Sequence, residues 1–342
     1  MTKLRKDFVS VIIINWNGMR WLDECLKSIT SQTYPHFEVI VVDNASQDGS
    51  IEFISQHYPK IFLIKNTKNE GFAKGNNLAL PHAKGELILL LNNDTTCPNN
   101  FIELFVESFQ KIPKVGAAQS KIIKMSDPTK LDSCGSFWTN STLLYHYGVD
   151  KSESLNQFNQ DFPVFSNKGA SMLIRRDVIE KIGLFDDDFW CYYEETDFCN
   201  RVWLIGFECW YLPKAMVLHA IGGTSTLFNN DQIQFHNFKN KLLSFIKNFE
   251  IKTLFTVIPT YIFLSAIISL IYLALNKPKH ALAVLKAIIW NIKNIKSSLQ
   301  KRKKIQDMRT ITDANIFNIT KRKPRLIYYY RLLTGALAQY KE

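Results

Sequence analysis

Three short polar runs in the first hundred residues have the residue types of a ligand site. They read NWNG at 15–18, DNASQDGS at 43–50 and NND at 92–94. Each follows an apolar stretch, and their amide and carboxylate groups suit hydrogen bonding to a polar ligand. Asn, Asp, Gly and Ser are also ordinary turn and N-cap residues, so local structure explains any one run taken alone. If the three runs meet at one edge of a sheet, they predict a pocket for a polar ligand.

A fourth run is acidic and reads EETD at 194–197. Carboxylates placed in this way can act as general acids or bases. The alternative is a solvated helix start, where acidic side chains are stabilised by the helix dipole. Aromatic residues just before the run argue against a merely solvated surface, and they suit either stacking on a ligand or packing in the core: Phe189, Trp190, Tyr192 and Tyr193.

The elements that must position these runs alternate between strand and helix. Buried strands are predicted at 8–14, 37–42, 61–64 and 86–91, and helices between them at 19–30, 50–58 and 71–84. This alternation predicts an α/β fold with a doubly wound sheet, whose ligands bind beyond the carboxyl ends of the strands. The pattern weakens into short strands and loops from 113 to 165. It then predicts a strand at 168–175, an acidic turn and helix within 186–206, and an amphipathic helix at 234–250.

The distribution of charge separates the C-terminal region from the rest of the chain. Of the 342 residues, 46% are hydrophobic, so a packed core is expected. Residues 277–342 hold 16 Lys and Arg against three acids, a net charge of +13, whereas the remaining 276 residues carry −2. The N-terminus lacks the apolar core of a signal peptide, and the six cysteines show no CxxC pair. We therefore expect the first domain to stay in the reducing cytoplasm.

Residues 253–276 carry no charge and are long enough to cross a bilayer as a helix. A buried helix of a soluble protein is the alternative. A single crossing would place the basic tail outside, against the positive-inside rule. We therefore expect either two helices, at about 254–275 and 280–292, that return the tail to the cytoplasm, or an attachment in the plane of the membrane.

Six segments resemble, in order, the successive motifs of family 2 glycosyltransferases. They are VSVIIINWNG, DNASQDGS, NEGFAKGNN, LLLNNDT, GLFDDDFWCYYEETDFCNRV and VLHAIGGTS. The resemblance covers about residues 7–250 and is to the rhamnosyltransferase-like branch of bacterial surface-polysaccharide assembly. It implies the GT-A fold, a Rossmann-like, mostly parallel sheet with helices on both faces. It also implies inverting transfer of a sugar from a UDP- or dTDP-sugar, with dTDP-rhamnose as one candidate, to a hydroxyl of a lipid-linked glycan or surface polysaccharide.

The resemblance further implies a divalent cation, Mg²⁺ or Mn²⁺, because the diphosphate of the donor needs neutralisation by an ion that prefers oxygen ligands. The family has D-x-D after the fourth strand, whereas this chain has Asn92, Asn93 and Asp94, a variant shared with the rhamnosyltransferase-like branch. Asn92 would then face the ribose, and Asp94 alone would bind the metal. His219, followed by Gly222 and Gly223, resembles the residue that completes the metal site in some GT-A enzymes. A histidine satisfied within a loop is the alternative.

Donor-binding positions follow from the same motifs. Asp43 resembles the residue that hydrogen-bonds the pyrimidine base, and turn capping is its alternative role. Gly71 and Gly75 permit close approach of the backbone, although helix packing explains Gly75 equally well. The donor-binding residues implied by the resemblance are Asn15, Asn17, Asp43, Asn44, Asn69, Gly71, Phe72, Gly75, Asn76, Asn92 and Asn93.

Inverting transfer needs a base that deprotonates the acceptor hydroxyl, and in the family this base belongs to an E-D-x-D motif. By alignment Glu195 occupies the base position, where Asp is usual. The extra methylene moves the carboxylate by about 1.5 Å, a displacement that matters for catalysis. Glu194 and Asp197 are the alternative bases, and Asp197 also has the spacing for an ion pair with Arg201.

These patterns predict four segments and a location. They are a GT-A transferase domain at 1–230, an amphipathic connector helix at 231–252, apolar membrane-associated helices at 253–292 and a basic C-terminal tail at 293–342. We expect the enzyme at the cytoplasmic face of the cell membrane. Two other hypotheses stay open at this point: a non-catalytic nucleotide-sugar-binding or scaffolding homologue at the membrane, and nucleic-acid binding by the tail. The tail has no recognisable nucleic-acid motif, so we expect no nucleic-acid partner.

Overall fold

The computed structural model describes residues 5–222, 230–334 and 337–340. The strands in chain order are β1 (Arg5–Asn15), β2 (Phe37–Asp43), β3 (Phe62–Lys65), β4 (Gly85–Asn92), β5 (Thr95–Thr96), β6 (Val115–Lys124), β7 (Leu131–Ser133), β8 (Ser136–Phe137), β9 (Tyr145–His146), β10 (Phe162–Pro163), β11 (Ser171–Arg175) and β12 (Glu208–His219). The helices are α1 (Met19–Thr30), α2 (Ser50–His57), α3 (Gly71–Ala79), α4 (Phe101–Gln110), α5 (Arg176–Ile182), α6 (Glu194–Leu204), α7 (Asn230–Asn248), α8 (Ile251–Ala274), α9 (Pro278–Lys293), α10 (Ile295–Asp307), α11 (Asp313–Thr320) and α12 (Leu326–Thr334).

One large sheet organises residues 5–219, with the strand order β10-β12-β6-β11-β4-β1-β2-β3. Strand β1 pairs in parallel with β2 and β4, β2 with β3, and β6 with β12, whereas β11 runs antiparallel to both β4 and β6. Ile12 of β1 belongs to the core on one face, and Val11 and Ile13 belong to the core on the other. Helices cover both faces, so the strands are apolar without alternation. The predicted α/β fold with a mostly parallel sheet is therefore confirmed.

Two local predictions differ from the structure. Helix α3 ends at Ala79 rather than at residue 84, although its cap residue Leu80 keeps helical backbone angles. Pro81 follows Leu80 and has no backbone N–H with which to continue the helical hydrogen bonds. The stretch at 113–165 was expected to hold only short strands and loops, yet it contains the ten-residue strand β6 near the middle of the sheet. Its sequence VGAAQSKIIK lacks a continuous apolar run, and β11 and β12 on either side bury it.

The C-terminal helices form a layer on the body that is built around the large sheet. Helix α7 packs against α6, α9 and α10, and α8 packs against α7 and α9. Trp138 stacks on Phe317 of α11 with ring centroids 5.5 Å apart, and its backbone N–H donates to the carbonyl of Thr320. The region expected as a basic tail therefore folds back as α10 to α12. Within the described residues, α8 is the one helix that is long and apolar enough to cross a membrane.

Candidate active site

A chain of buried hydrogen bonds joins the carboxyl ends of β1, β2 and β4. Asn93 donates through Nδ2 to Oδ1 of Asn15 at 2.8 Å, and Asn15 donates through Nδ2 to Oδ2 of Asp43 at 2.8 Å. Asp43 also accepts from the backbone N–H and the hydroxyl of Ser46, both at 2.8 Å. The three polar runs therefore meet at one sheet edge because parallel strands deliver their ends there.

A cavity of about 360 Å³ opens at this edge, a size within the range of small-molecule sites. Its lining includes most of the residues predicted from the sequence, namely Asn44, Asn69, Gly71, Phe72, Asn92, Asn93, Asp94, Glu194, Glu195 and His219. It also includes Trp190 and Tyr192, for which the sequence left open stacking on a ligand or packing in the core. Other lining residues were not predicted as site residues, among them Trp16, Lys168, Cys191 and Gly222. Gly223 lies outside the described residues.

The other predicted site residues lie behind this lining. Asn17 accepts the backbone N–H of Gln47 at 2.8 Å and so holds the loop after β2, while Asn76 donates to the carbonyl of Phe72. At Gly75 an added Cβ would lie 3.2 Å from Ile14, which indicates close helix–strand packing. Asn15, Asp43 and Asp197 also lie outside the lining. A direct contact with the donor stays a prediction for Asn15, Asn17, Asp43, Gly75 and Asn76, and Asp197 was predicted only as an alternative base.

His219 is held between two carboxylates. The short strand β5 pairs with β12 so that Thr95 lies opposite His219, which brings the preceding Asp94 beside the imidazole. Nε2 of His219 lies 3.2 Å from Oδ1 of Asp94, and Nδ1 lies 2.8 Å from Oδ2 of Asp132. Burial lowers the pKa of His219, but the hydrogen bonds to Asp132 and Asp94 outweigh burial and hold its pKa above the usual 6.5.

Asp132 and Lys168 belong to this cluster and were not predicted as site residues. Nζ of Lys168 lies 2.5 Å from Oδ2 of Asp132. Burial raises the pKa of Asp132, but Lys168 and His219 outweigh burial and hold its pKa well below the usual value. Asp132 lies on β7, in the stretch where the sequence pattern is weak, and its contact with His219 spans 87 residues. No spacing within the sequence indicates that contact.

The side chains of Asp94 and His219 fit a divalent cation. Two neighbouring ligands about 2.1 Å from an octahedral ion lie about 3 Å apart, close to the 3.2 Å between Oδ1 of Asp94 and Nε2 of His219. The carboxylate of Asp132 on the other ring nitrogen is the partner that metal-binding histidines commonly have. Among the described residues, no group of three or more His, Cys, Asp and Glu is arranged to hold a metal ion. The remaining ligands would have to come from a bound diphosphate and water.

The segment before the acidic helix α6 has an unusual backbone. Trp190, Tyr192 and Tyr193 have φ values of 58°, 67° and 72°, which cost non-glycine residues about 1–2 kcal/mol each. Gly71 at the start of α3 packs against it, since an added Cβ would lie 2.4 Å from Cδ1 of Trp190. Strain of this kind persists where the surrounding structure fixes it, and it clusters at active sites.

The carboxylates of Glu194 and Glu195 lie in an apolar, weakly compensated environment. Within the described part of the chain, Oε2 of each is buried without a hydrogen-bond partner. Burial raises the pKa of Glu194, and the neighbouring charge of Glu195 raises it further. Burial also raises the pKa of Glu195, and its own backbone N–H and Lys168 oppose that effect without cancelling it.

Asp197 has the opposite environment. Its carboxylate accepts from Nε of Arg201 at 3.0 Å and from Nδ2 of Asn248 at 2.9 Å, and it lies 3.3 Å from Nζ of Lys247. Burial raises the pKa of Asp197, but Lys247 and Arg201 outweigh burial, and its pKa is below the usual value. The ion pair with Arg201 expected from the spacing is present.

Comparison with known proteins identifies the family. The family model described as glycosyl transferase family 2 matches residues 10–183, just over half of the chain. An uncharacterized glycosyltransferase of Haemophilus influenzae is 29% identical over 66% of this chain and 69% of its own length. N-acetylglucosaminyl-diphospho-decaprenol L-rhamnosyltransferase of Mycobacterium tuberculosis is 23% identical over 62% of this chain and 76% of its own.

A solved structure shares the fold. The crystal structure of GalNAc-T7 with UDP, GalNAc and Mn²⁺ aligns with a TM-score of 0.55 at 16% identity, covering 70% of this chain and 48% of that one. This likeness agrees with the GT-A fold implied by the motifs. As the six motifs predict, the chain belongs to glycosyl transferase family 2 and is a glycosyltransferase.

Proposed function

We propose that this glycosyltransferase transfers a sugar, with inversion, from a UDP- or dTDP-sugar to a hydroxyl of a lipid-linked glycan. The observation that carries the proposal is the single cavity that brings Asp94 and His219 together with Glu194 and Glu195 at the carboxyl ends of the strands. The printed name of the Mycobacterium tuberculosis relative describes a lipid-linked acceptor and a rhamnosyl group, which supports the acceptor class and keeps dTDP-rhamnose as a candidate donor.

In this proposal the donor occupies the side of the cavity formed by the strand ends. Asp94 and His219 would hold Mg²⁺ or Mn²⁺, and the metal would neutralise charge on the diphosphate. The GalNAc-T7 structure contains UDP and Mn²⁺, which supports this pairing of ligand and ion. Asn92 would face the ribose, and Gly71 would let the backbone come close to the donor. Asn15 acts behind them by fixing Asn93 and Asp43, and the base contact of Asp43 stays a prediction.

Glu195 is our proposed base, with Glu194 as the second candidate. A raised pKa brings a carboxylate closer to the pH at which it accepts a proton efficiently. Glu195 takes the proton of the acceptor hydroxyl as that oxygen attacks the anomeric carbon. The bond from this carbon to the diphosphate oxygen breaks on the opposite face, so the configuration inverts and the nucleoside diphosphate leaves with the electron pair. Asp197, which binds Arg201, Lys247 and Asn248, has a structural role in this proposal.

The test is a screen of UDP- and dTDP-sugars for metal-dependent transfer or hydrolysis. We expect Asp94→Asn to abolish metal-dependent turnover. Glu195→Gln should lower kcat by about 10²- to 10⁴-fold, the usual contribution of a general base. Metal-dependent turnover that is unchanged in Asp94→Asn would refute the metal site, and wild-type kcat in Glu195→Gln would move the base to Glu194.

We further propose that α8 and α9 attach the enzyme to the cytoplasmic face of the membrane, in its plane. Phe255 and Phe263 of α8 are 77% and 64% exposed, and Leu285 and Ile292 lie on the exposed face of α9. The opposite face of α9, which includes Val284, is buried against the body, so α9 is not free to cross the bilayer on its own. Lysines around this apolar surface suit anionic lipids, namely Lys277, Lys279, Lys286, Lys293 and Lys296.

Flotation with anionic vesicles tests this attachment. We expect the double variant Leu285→Asp and Ile292→Asp to lose vesicle binding while it keeps turnover on a water-soluble acceptor. Phe62→Asp on the edge strand β3 replaces a comparably exposed apolar residue and is the matched control, which should float like the wild type. Undiminished flotation of the double variant would rule out this surface.

A further inference from the structure

Five consecutive backbone carbonyls, those of residues 188–192, precede the acidic helix α6, and each accepts a hydrogen bond from another element or from within the segment. The backbone N–H of Ala73 donates to the carbonyl of Trp190 at 3.0 Å, and Nζ of Lys239 donates to that of Asp188. Asn240 of α7 donates through Nδ2 to the remaining three, those of Phe189, Cys191 and Tyr192, at 2.9, 2.8 and 2.6 Å.

The side chain of Asn240 holds three of the five carbonyls of this segment. Asn240 is fully buried, and its amide group has two hydrogens for three carbonyl oxygens. The segment includes Trp190, Tyr192 and Tyr193 in the left-handed region, a conformation that their own backbone preferences oppose. Contacts from outside the segment must therefore impose this backbone, and Asn240 supplies three of them.

We infer that Asn240 is a positioning residue for the catalytic carboxylates, an inference that rests on the proposed role of Glu195 as the base. Helix α6 begins at Glu194, immediately after the segment whose carbonyls Asn240 holds. The backbone of residues 189–193 therefore sets the direction in which the carboxylates of Glu194 and Glu195 point. Loss of the three hydrogen bonds lets this backbone relax towards ordinary φ values. A displacement of the base by about 1 Å is enough to lower the rate by about 10²-fold.

The hydrogen bonds from Lys239 and Asn240 of α7 to this segment connect the candidate active site with the C-terminal helices. Asn291 of α9 donates to the carbonyl of Lys239 at 3.0 Å, next to Asn240 in α7. Lys301 of α10 pairs with the carboxylates of Asp186 and Asp188 at 2.5 and 2.6 Å, at the N-terminal end of the segment 188–192. Helices α9 and α10 therefore hold α7 and the acidic segment in one arrangement.

Steady-state kinetics of Asn240→Leu, which keeps the side-chain size and removes the donors, tests the inference. Asn159→Leu is the matched control, because Asn159 also donates through its side-chain amide to two backbone carbonyls, those of Glu153 and Leu155, and does not line the cavity. We expect kcat of Asn240→Leu to fall by about 10²-fold with KM for the donor within about threefold. Asn159→Leu should keep kcat. Equal kcat values in the two folded variants would overturn the inference, and Asn240→Ala serves if Asn240→Leu does not fold.

Hydrogen exchange separates this inference from the assignment of the base. We expect the amides of residues 189–194 to exchange faster in Asn240→Leu than in the wild type, and to be unchanged in Asn159→Leu. Faster exchange with wild-type kcat would refute positioning and leave the transferase proposal intact. Wild-type kcat in Glu195→Gln would refute the base, while the exchange data would still test whether Asn240 fixes the segment.

Discussion

Asp197→Asn is the sharpest test of which carboxylates of α6 are structural and which take part in catalysis. Asp197 was one of the three candidate bases, yet its carboxylate binds Arg201, Lys247 and Asn248 outside the cavity. If its role is structural, the substitution should lower the free energy of unfolding and leave the chemistry of the folded enzyme unchanged. A base would show the opposite behaviour.

The magnitude follows from the burial of the partners. The side chains of Asp197 and Lys247 are 1% exposed, and that of Arg201 is 5% exposed. Removing one member of such a buried ion pair costs about 3–5 kcal/mol, because the remaining charge is left uncompensated. Lys247 keeps Asp186 at 2.5 Å, and Arg201 keeps the carbonyl of Ile182 at 2.7 Å, so we expect a loss near the lower end, about 3 kcal/mol.

The pH dependence gives a second signature. The pKa of Asp197 is lowered in the folded protein from its usual 3.8. The unfolded chain therefore binds the proton more readily, and the stabilisation is present above pH 3.8 and is lost as the pH falls through the folded pKa. The difference in unfolding free energy between the wild type and Asp197→Asn should be full at neutral pH and should shrink in acid.

Urea unfolding and turnover per folded molecule measure these effects together. Asp177→Asn is the control, because its pair with Arg175 is exposed and should contribute less than about 1 kcal/mol. The reasoning would be refuted by an Asp197→Asn protein that unfolds like the wild type but loses kcat by about 10²-fold or more, since that loss is what removal of a base produces.

Three further predictions concern residues that line the cavity or contact its lining. Asp132→Ala leaves His219 of the proposed metal site without its orienting carboxylate, so the metal affinity measured by turnover should fall by about 10- to 100-fold. Glu153→Gln, which breaks a different lysine pair, should show the metal affinity of the wild type. Glu194→Gln should stabilise the protein above pH 4.5, the usual carboxyl pKa, and not below it. The pKa of Glu194 is raised in the folded protein, so the wild type loses stability as the pH rises from 4.5 through the folded pKa, and glutamine does not ionise. The same stability gain at all pH values in urea unfolding would contradict this. Gly71→Ala should destabilise the protein and raise the KM for the donor, since its Cβ would lie 2.4 Å from the facing indole. Gly49→Ala, also at positive φ but with open space around it, isolates the backbone cost, and equal effects would exclude the steric explanation.

The sequence predicts the first part of the fold well for a physical reason. Strands buried on both faces must be apolar along their whole length, so β1, β2 and β4 are visible as continuous runs. Their shared direction then places the three polar runs at one edge without any knowledge of contacts. Strand β6 has no such run, because small and polar residues such as Gly116, Gln119 and Ser120 are buried there by neighbouring strands. Only the assembled sheet shows why those residues are inside.

Some residues of the candidate site can be predicted from their spacing in the sequence, and others are brought there only by long-range contacts. Asp94 and His219 were predicted together from motifs, and pairing between β5 and β12 brings them side by side. Asp132 approaches from a short strand in a stretch without periodicity, and nothing local marks it. Asn15 and Asp43 have the residue types of ligand contacts, yet their hydrogen bonds are to each other and to the neighbouring Asn93 and Ser46. An amide that binds a ligand and an amide that fixes a carboxylate look the same in a sequence.

The order of residues in the acidic motif has a geometric cause. Residues two apart on a helix point about 200° apart, so Glu195 and Asp197 must face opposite sides of α6. Glu195 faces the cavity, Thr196 bonds to the hydroxyl of Ser166 at 2.8 Å, and Asp197 faces Lys247 of α7. The cavity supplies few compensating charges and raises one pKa, whereas the α7 side supplies cations and lowers the other. Environments that push the pKa values of two neighbouring carboxylates apart in this way suit them to different roles. This difference supports the proposal that Asp197 fixes the helix and that Glu195 is the base.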